Sequence, residues 1–337
     1  MEQFTLGDNA LNLSRARVLE QLQHLFQTVD VEFVGSIQTL WKGYGEIARY
    51  WLPEQQRPIV VKHVIPPNVA SDDKQKLVSH QRKIRSFAVE VYFYHHLAER
   101  CTVGCRTAHP YAVSESDLAK NHETLIVLED LDASGFCLRG DADNLLQVRL
   151  ALNWLAHFHA QFLQEQHQSL WNTGSYWHIE TRRVELDAMQ GCELKKAAAE
   201  VALTLAQSNI QTVIHGDAKL ANFCFHQELQ SAAAVDFQYT GGGAGIIDVM
   251  LLFSSALSND SLFSHADTLL EHYFSALQAA LRFVGKVEQI DAVETCWRKL
   301  YSFAWADYQR FLMGWKPGHP RINEYMQAQT SWALKHL

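Results

Sequence analysis

The sequence has no long apolar run, no surplus of basic charge and no paired-cysteine motif, and each lack removes a class of function. Its longest apolar stretches, such as VMLLF at 249–253, fall far short of the roughly 20 residues a membrane-spanning helix needs, so no membrane partner is expected. Twenty-nine basic residues against 37 acidic ones leave a formal charge of −8, the wrong sign for a phosphate backbone, and no nucleic-acid partner is expected. The densest basic segment, 62–85, is diluted by acids and reads as a solvated face. Six cysteines are scattered along 337 residues. Cys101 and Cys105 stand close, but no second pair follows at zinc spacing. The opening MEQFTLGDNALN lacks the basic and apolar segments of a secretory leader, so free thiols in a reducing cytoplasm are the expectation. With only seven prolines, no low-complexity linker and no internal repeat, the chain reads as globular throughout. Its length exceeds what one core usually holds, so two lobes are expected.

What is present changes in texture near residue 130. Residues 11–29 show helical periodicity, with Val18, Leu22, Leu25 and Phe26 on one side and Ser14 as a candidate N-cap. Residues 31–52 alternate apolar and polar around Gly43 and Gly45, which predicts two strands and a tight connection. RPIVVKHVIP (57–66) and ETLIVLEDL (123–131) predict further strands, and 79–100 predicts a helix between them. Beyond 130, helical patterns run through 144–164, 193–207, 266–284 and 289–315. Only TVIHGD, NFCFH and SAAAVDF interrupt them with short extended runs. The expected plan is α+β: a small sheet-rich part over 1–129, led by a helix at about 14–29, then a larger helical part over 130–337.

The chemistry concentrates in VIHGDAKLANFCFH (213–226) and AAAVDFQYTGGG (232–243). Both set a carboxylate, Asp217 or Asp236, among apolar residues, where an ionised acid is costly without a partner or a metal. Asn222 follows Asp217 by five residues. Upstream, Lys62 stands alone in the apolar strand IVVKHV, and Glu90 in the following helix can hold its ammonium. Phosphoryl transfer from a nucleotide needs such parts: a carboxylate for the acceptor hydroxyl, oxygen ligands for Mg²⁺, a lysine for phosphate charge, and a glycine turn for close backbone approach.

HGDAKLAN resembles the HGDxxxxN catalytic loop of the aminoglycoside phosphotransferase and choline kinase superfamily, and VDFQ resembles its metal-binding segment. The nearer resemblance is to the ecdysteroid kinase-like branch, through LIVLEDL, LAHFHA, HGDAKLANFCF, DFQYTGGGAGIIDVMLLFSSALS and LLEHYFSAL. It runs from about 35 to 280 and implies a protein-kinase-like two-lobe fold with Mg·ATP between the lobes and a small-molecule alcohol as acceptor. On this resemblance Asp217 is the catalytic base, Asn222 and Asp236 hold Mg²⁺, and Lys62, paired with Glu90, meets the α and β phosphates. The backbone around Glu129 to Leu131 is the adenine hinge, His215 braces the loop, and Asp248 receives its backbone hydrogen bonds. WKGYGEIARY is shorter than a full glycine-rich loop, which weakens the case for Gly43 and Gly45 as phosphate contacts.

Lys219 projects from the same loop, either to steady the transferring phosphate or to face solvent. Trp297, Tyr301, Trp305 and Tyr308 fall at helical spacing, and core packing is their simpler reading, with Trp305 and Tyr308 kept as acceptor-site candidates. Trp171, Tyr176 and Trp177 lie in a loop, where aromatics have less helical excuse, and join them as candidates. Two rival functions stand beside the general alcohol kinase. One is an aminoglycoside-type antibiotic phosphotransferase, disfavoured by the mixed charge of WADYQRFLMGWKPGHPRINEYM; the other is a non-catalytic nucleotide-binding pseudokinase, disfavoured by the intact set of Lys62, Asp217, Asn222 and Asp236.

Overall fold

A computed structural model describes residues 8–40, 43–68, 74–114 and 123–337, with side chains from Ser14 onward except at Lys74. The chain divides into two compact units, one of residues 1–99 and 108–135 and one of 100–107 and 136–337.

The first unit contains α1 (Asp8–Phe26), β1 (Glu32–Thr39), β2 (Gly45–Leu52), β3 (Arg57–Val64) and α2 (Lys74–His96). After the excursion that carries β4 (Arg106–Thr107) into the second unit, it resumes with β5 (Pro110–Val113) and β6 (Thr124–Glu129). These strands form one antiparallel sheet in the order β1-β2-β3-β6-β5. Alternation sorts the side chains of this sheet onto two faces. Ala48, Tyr50, Leu52, Ile59, Val61, Leu125 and Val127 share one face and pack against Val18 and Leu22 of α1. A second cluster of Leu40, Tyr44, Val64 and Phe87 involves α2. Lys62 falls between Val61 and His63, so the period of two turns it away from the α1 face.

Helix α1 begins at Asp8, earlier than its periodicity suggests, so Ser14 lies inside it rather than at its cap. The Ser14 hydroxyl meets His63 Nδ1 at 2.8 Å instead, tying α1 to β3. The helix stops at Phe26 rather than 29 because Gln27 turns left-handed (φ 51°) and Thr28 N–H donates back to Gln23 O at 3.1 Å.

The second unit contains β7 (Leu138–Arg139), α3 (Leu145–Gln161), α4 (Arg183–Ala188), α5 (Glu193–Ala206), β8 (Thr212–Ile214), β9 (Phe223–Phe225), β10 (Ala232–Ala234) and β11 (Gly241–Gly243). It ends with α6 (Ile246–Ala256), α7 (Asn259–Phe283), α8 (Ile290–Trp315) and α9 (Glu324–Lys335). Side chains that accept from the first-turn N–H groups start three of these helices: Asn144 for α3, Ser258 for α7 and Asn323 for α9. Almost every residue of α6 is buried, as expected of a helix apolar on all sides. The short strands form a sheet β4-β10-β9-β7 and a two-stranded pair β11-β8. They bring the two acidic segments together: β9 pairs with β10, and Val235 N–H donates to Asn222 O at 3.0 Å. No helix among the described residues is long and apolar enough to cross a membrane.

Burial holds several histidines below their ordinary pKa of 6.5: His63, even against the opposing pull of Glu123, and also His157 and His272. Above 6.5 both folded and unfolded forms are neutral there. Below it the unfolded chain takes up protons that the folded chain resists, so stability falls as pH drops from 6.5 toward the folded values. The carboxylates whose pKa is depressed, Asp143, Glu165 and Glu294, lose their contribution only below their ordinary 3.8 to 4.5. Asp217, its pKa raised to about 6, works the other way over the same window, but it is one group against the several buried histidines. The thermal midpoint at pH 5.5 is therefore expected to lie below that at pH 7.5, and equal midpoints would contradict this balance.

Candidate active site

In the first unit, Lys62 and Glu90 form a buried ion pair, Nζ to Oε2 at 2.6 Å, with 4% and 2% of each residue exposed. Phe87 and Glu90 lie three apart on α2 and so face the same way, and Lys62 Nζ sits 5.8 Å from the Phe87 ring centroid. Each charge is compensated by the other in a place where either alone would be costly. The chain reversal between β1 and β2 places Gly43 and Gly45 at φ 75° and 128°. A side chain at Gly45 would meet His63 O at 1.9 Å, so only glycine fits there. Glu129 ends β6; its N–H donates to His109 O at 2.9 Å and its carboxylate accepts from His109 N–H at 3.0 Å. Leu131 is buried, and Asp130 between them accepts a two-pronged contact from Arg49.

In the second unit, the loop between β8 and β9 is hung from α6. Asp248, in the first turn of α6, accepts from the N–H groups of His215 (2.6 Å) and Gly216 (2.9 Å). It also meets His159 Nε2 at 3.1 Å, and His159 Nδ1 meets the Tyr273 hydroxyl at 2.8 Å. All four side chains are fully buried. Gly216 is left-handed (φ 76°), and a Cβ on it would meet Tyr239 O at 2.0 Å. His215 Nε2 lies 3.1 Å from Val235 O, and its Nδ1 accepts Asp217 N–H at 3.3 Å. A carbonyl demands a donor and an amide demands an acceptor, so His215 is the neutral Nε2–H tautomer. Its burial, which lowers its pKa, agrees. His215 thus braces the loop from within.

Asp217 projects from this brace with 5% exposure. Its Oδ2 accepts from Lys219 Nζ at 2.7 Å and from Asn222 Nδ2 at 3.2 Å. Its Oδ1 is buried and has no partner. Burial raises the Asp217 pKa to about 6; the Lys219 charge opposes this and the Asp236 charge adds to it. Burial pulls Lys219 the other way, but Asp217 outweighs it and keeps the ammonium charged. Lys219 is therefore neither a free solvent lysine nor a remote one; it sits on the carboxylate.

Asn222 closes a short helical turn, Leu220–Asn222, and donates its Nδ2 to Asp217 O at 2.8 Å. With both contacts made through nitrogen, its amide oxygen is the atom left to bind something else. Asp236 follows β10 in a left-handed conformation (φ 71°) and accepts from Gln238 Nε2 at 2.7 Å. Among the described residues no group of three or more His, Cys, Asp or Glu side chains gathers around a metal position. The oxygen pair of Asn222 and Asp236 nevertheless suits Mg²⁺, which commonly takes one or two protein oxygens and completes its shell with phosphate and water.

Three of the aromatic candidates are enclosed, Trp177 and Tyr308 at 1% exposure and Trp305 at 0%; Trp305 packs against Tyr301 and Tyr325. Trp171 is half-buried, stacked on Tyr239 at 6.1 Å, with Nε1 donating to Gln238 O at 2.8 Å. Tyr176 N–H donates to Gly216 O at 3.2 Å, and the Tyr176 and Tyr308 hydroxyls meet at 2.9 Å. Arg321 Nη1 donates to the Tyr308 hydroxyl at 2.9 Å. Sequence reading passed over Arg321 and Tyr239. Arg321 sits in the connection KPGHPRIN between two helices, where a lone arginine looks solvated; the only signal was its place among glycine and prolines in a turn that had to be built.

The two-unit α+β arrangement, sheet-rich first and helical second, is a kinase-like fold. Among solved structures, the chain is similar to an ethanolamine kinase of Plasmodium vivax, at 10% identity, over 98% of this chain and 89% of that one, with a TM-score of 0.52. It is also similar to a microcompartment-associated aminopropanol kinase, at 12% identity, over 94% of this chain and 98% of that one, with a TM-score of 0.48. At such identities the likeness bears on fold alone. Residues 162–286 match the model of the ecdysteroid kinase-like family. The resemblance read in HGDAKLAN and VDFQ is thereby borne out over the segment that holds the loop, Asp236 and Asp248. No curated protein matches the sequence.

The loop's dependence on Asp248 is measurable. Asp248→Ala strands the buried N–H groups of His215 and Gly216, each costing about 1–3 kcal/mol. Urea unfolding is expected to show a loss of about 3 kcal/mol or more, and a loss below 1 kcal/mol would mean the loop is held by something else.

Proposed function

We propose that the chain is an ATP-dependent phosphotransferase that moves the γ-phosphate to a hydroxyl of a small-molecule acceptor. The observation that carries this reading is the Asp217 carboxylate: buried, oriented through one oxygen by Lys219 and Asn222, and left with the other oxygen unpartnered. Such a group is built to accept a proton from an incoming hydroxyl. The match to the ecdysteroid kinase-like model and the fold shared with a protein named as an ethanolamine kinase support it.

In this mechanism Asp217 Oδ1 accepts the proton of the acceptor hydroxyl while that oxygen bonds to the γ-phosphorus and ADP departs with the bridging oxygen. Asp217 suits the task, since a base with a pKa near 6 is ionised at neutral pH yet takes a proton more readily than an exposed aspartate. Lys219 holds the base in place and adds positive charge beside the transferred group. Asn222 and Asp236 would hold Mg²⁺, which supplies charge neutralisation to the phosphates when bound. Lys62, paired with Glu90, would meet the α and β phosphates, the Gly43–Gly45 turn would admit backbone close to them, and the backbone from Glu129 to Leu131 would meet adenine. Residues 1–129 then serve nucleotide binding and 130–337 catalysis. Trp171 and Tyr176, both half-buried, are the aromatic candidates for the acceptor side, and the enclosed Tyr308 holds the Tyr176 hydroxyl. Free cysteines fit a reducing cytoplasm.

The test is ADP release from Mg·ATP across a panel of alcohols. Asp217→Asn is expected to lower turnover about 100-fold or more, the usual share of a general base, with an unchanged thermal midpoint. Asp236→Asn is expected to abolish the Mg²⁺-dependent rate. Wild-type turnover in both variants would end this reading.

A further inference from the structure

Arg321 is a cation that no acid among the described residues balances. Neighbouring arginines of the second unit are matched: Arg310 Nε donates to Asp307 at 2.9 Å, and Arg182 Nη1 donates to Glu185 at 3.1 Å. Arg321 is half-buried, its guanidinium meets the neutral phenol of Tyr308, and no carboxylate among the described residues pairs with it. A charge so placed is costly until a counter-ion arrives.

Its location gives that counter-ion a meaning. Arg321, Tyr308 and Tyr176 form a chain of contacts at 2.9 Å each, and Tyr176 N–H is bonded to Gly216, the residue before Asp217. The Arg321 charge acts on both the Tyr176 hydroxyl and the Lys219 ammonium, and Lys219 lies on Asp217. The turn that presents Arg321 is fixed by its own N–H, which donates to His319 Nδ1 at 3.2 Å.

We propose that the acceptor is an alcohol bearing an anionic group, a carboxylate or a phosphate-type oxyanion, bound by Arg321 and the Tyr176 hydroxyl while its hydroxyl meets Asp217. This rests on the phosphotransferase reading and names its acceptor class. A guanidinium has five N–H donors in a planar fork and no acceptor, so one bond to Tyr308 leaves a pair for a two-oxygen anion. Burial holds the Tyr176 phenol protonated and able to donate. A cationic amino alcohol would meet Arg321 and Lys219, both positive, while the acids at hand, Asp217 and Asp236, are committed to the hydroxyl and the metal. Asp307 is taken by Arg310.

The inference is tested on the full chain by equilibrium binding, without nucleotide, of three alcohols with the same aromatic body: 4-(hydroxymethyl)benzoate, 4-(hydroxymethyl)phenylphosphonate and 4-(aminomethyl)benzyl alcohol. At least one of the two anions is expected to bind about tenfold or more tighter than the ammonium compound, equivalent to about 1.4 kcal/mol, and the tighter one identifies the oxyanion. Arg321→Glu is expected to reverse the order, and Arg321→Lys to keep part of the preference. A wild-type protein that favours the ammonium compound or binds neither anion overturns the proposal, as does Arg321→Glu with the wild-type order. If Arg321→Glu does not fold, Arg321→Lys and the wild-type order still decide. Charge preference through Arg321 without ADP release on adding Mg·ATP would instead count against the phosphotransferase reading alone.

Discussion

The second unit depends on one buried carboxylate. Asp248 is fully enclosed, yet it faces two backbone N–H groups and an imidazole, so its charge is spread over hydrogen bonds rather than left bare. By holding His215 and Gly216 at the start of the loop, it fixes the direction in which Asp217 leaves. His215 then repeats the device one step further out, bridging Val235 O and Asp217 N–H and so joining the loop to the strand that leads to Asp236. The two acids of the site are thus coupled through backbone, which holds position more tightly than a pair of long side chains could.

Compensation of charge is incomplete around Asp217, and the incompleteness is informative. Lys219 and Asn222 satisfy one oxygen, and burial with the nearby Asp236 lifts the pKa to about 6. Had stability alone shaped the site, the second oxygen would also have a donor, since an unsatisfied buried acceptor costs free energy. Lys62 and Glu90 show the alternative in the first unit, a buried pair in which each ion answers the other. Arg321 shows a third condition: a guanidinium held by the Tyr308 hydroxyl and by no acid among the described residues. Asp217 and Arg321, both of the second unit, thus keep hydrogen-bonding capacity that no group among the described residues fills.

The fold places these groups with economical means. The sheet of the first unit turns Lys62 away from the α1 face by its period of two, and α2 answers with Glu90 one helical turn beyond Phe87. In the second unit, three-residue strands do what longer ones do elsewhere, because α6 and α3 supply the burial that such short pairings lack.

The sequence by itself determined the α+β class and the change from sheet to helix near residue 130, and it singled out Asp217, Asn222 and Asp236 as candidates. These are local signals: the period of side chains along a strand or helix, and acids set where apolar residues dominate. The ends of α1 were less legible, since Ser14 answers to His63 across the sheet rather than to its own helix. The tautomer of His215, the free oxygen of Asp217, the contact of Lys219 and the partial burial of Trp171 against the full burial of Trp305 were decided only by tertiary structure. So was Arg321, whose neighbours Tyr308 and Tyr176 lie 13 and 145 residues away in sequence. A charge's meaning depends on which charges surround it in space, and a pattern along the chain carries no account of that.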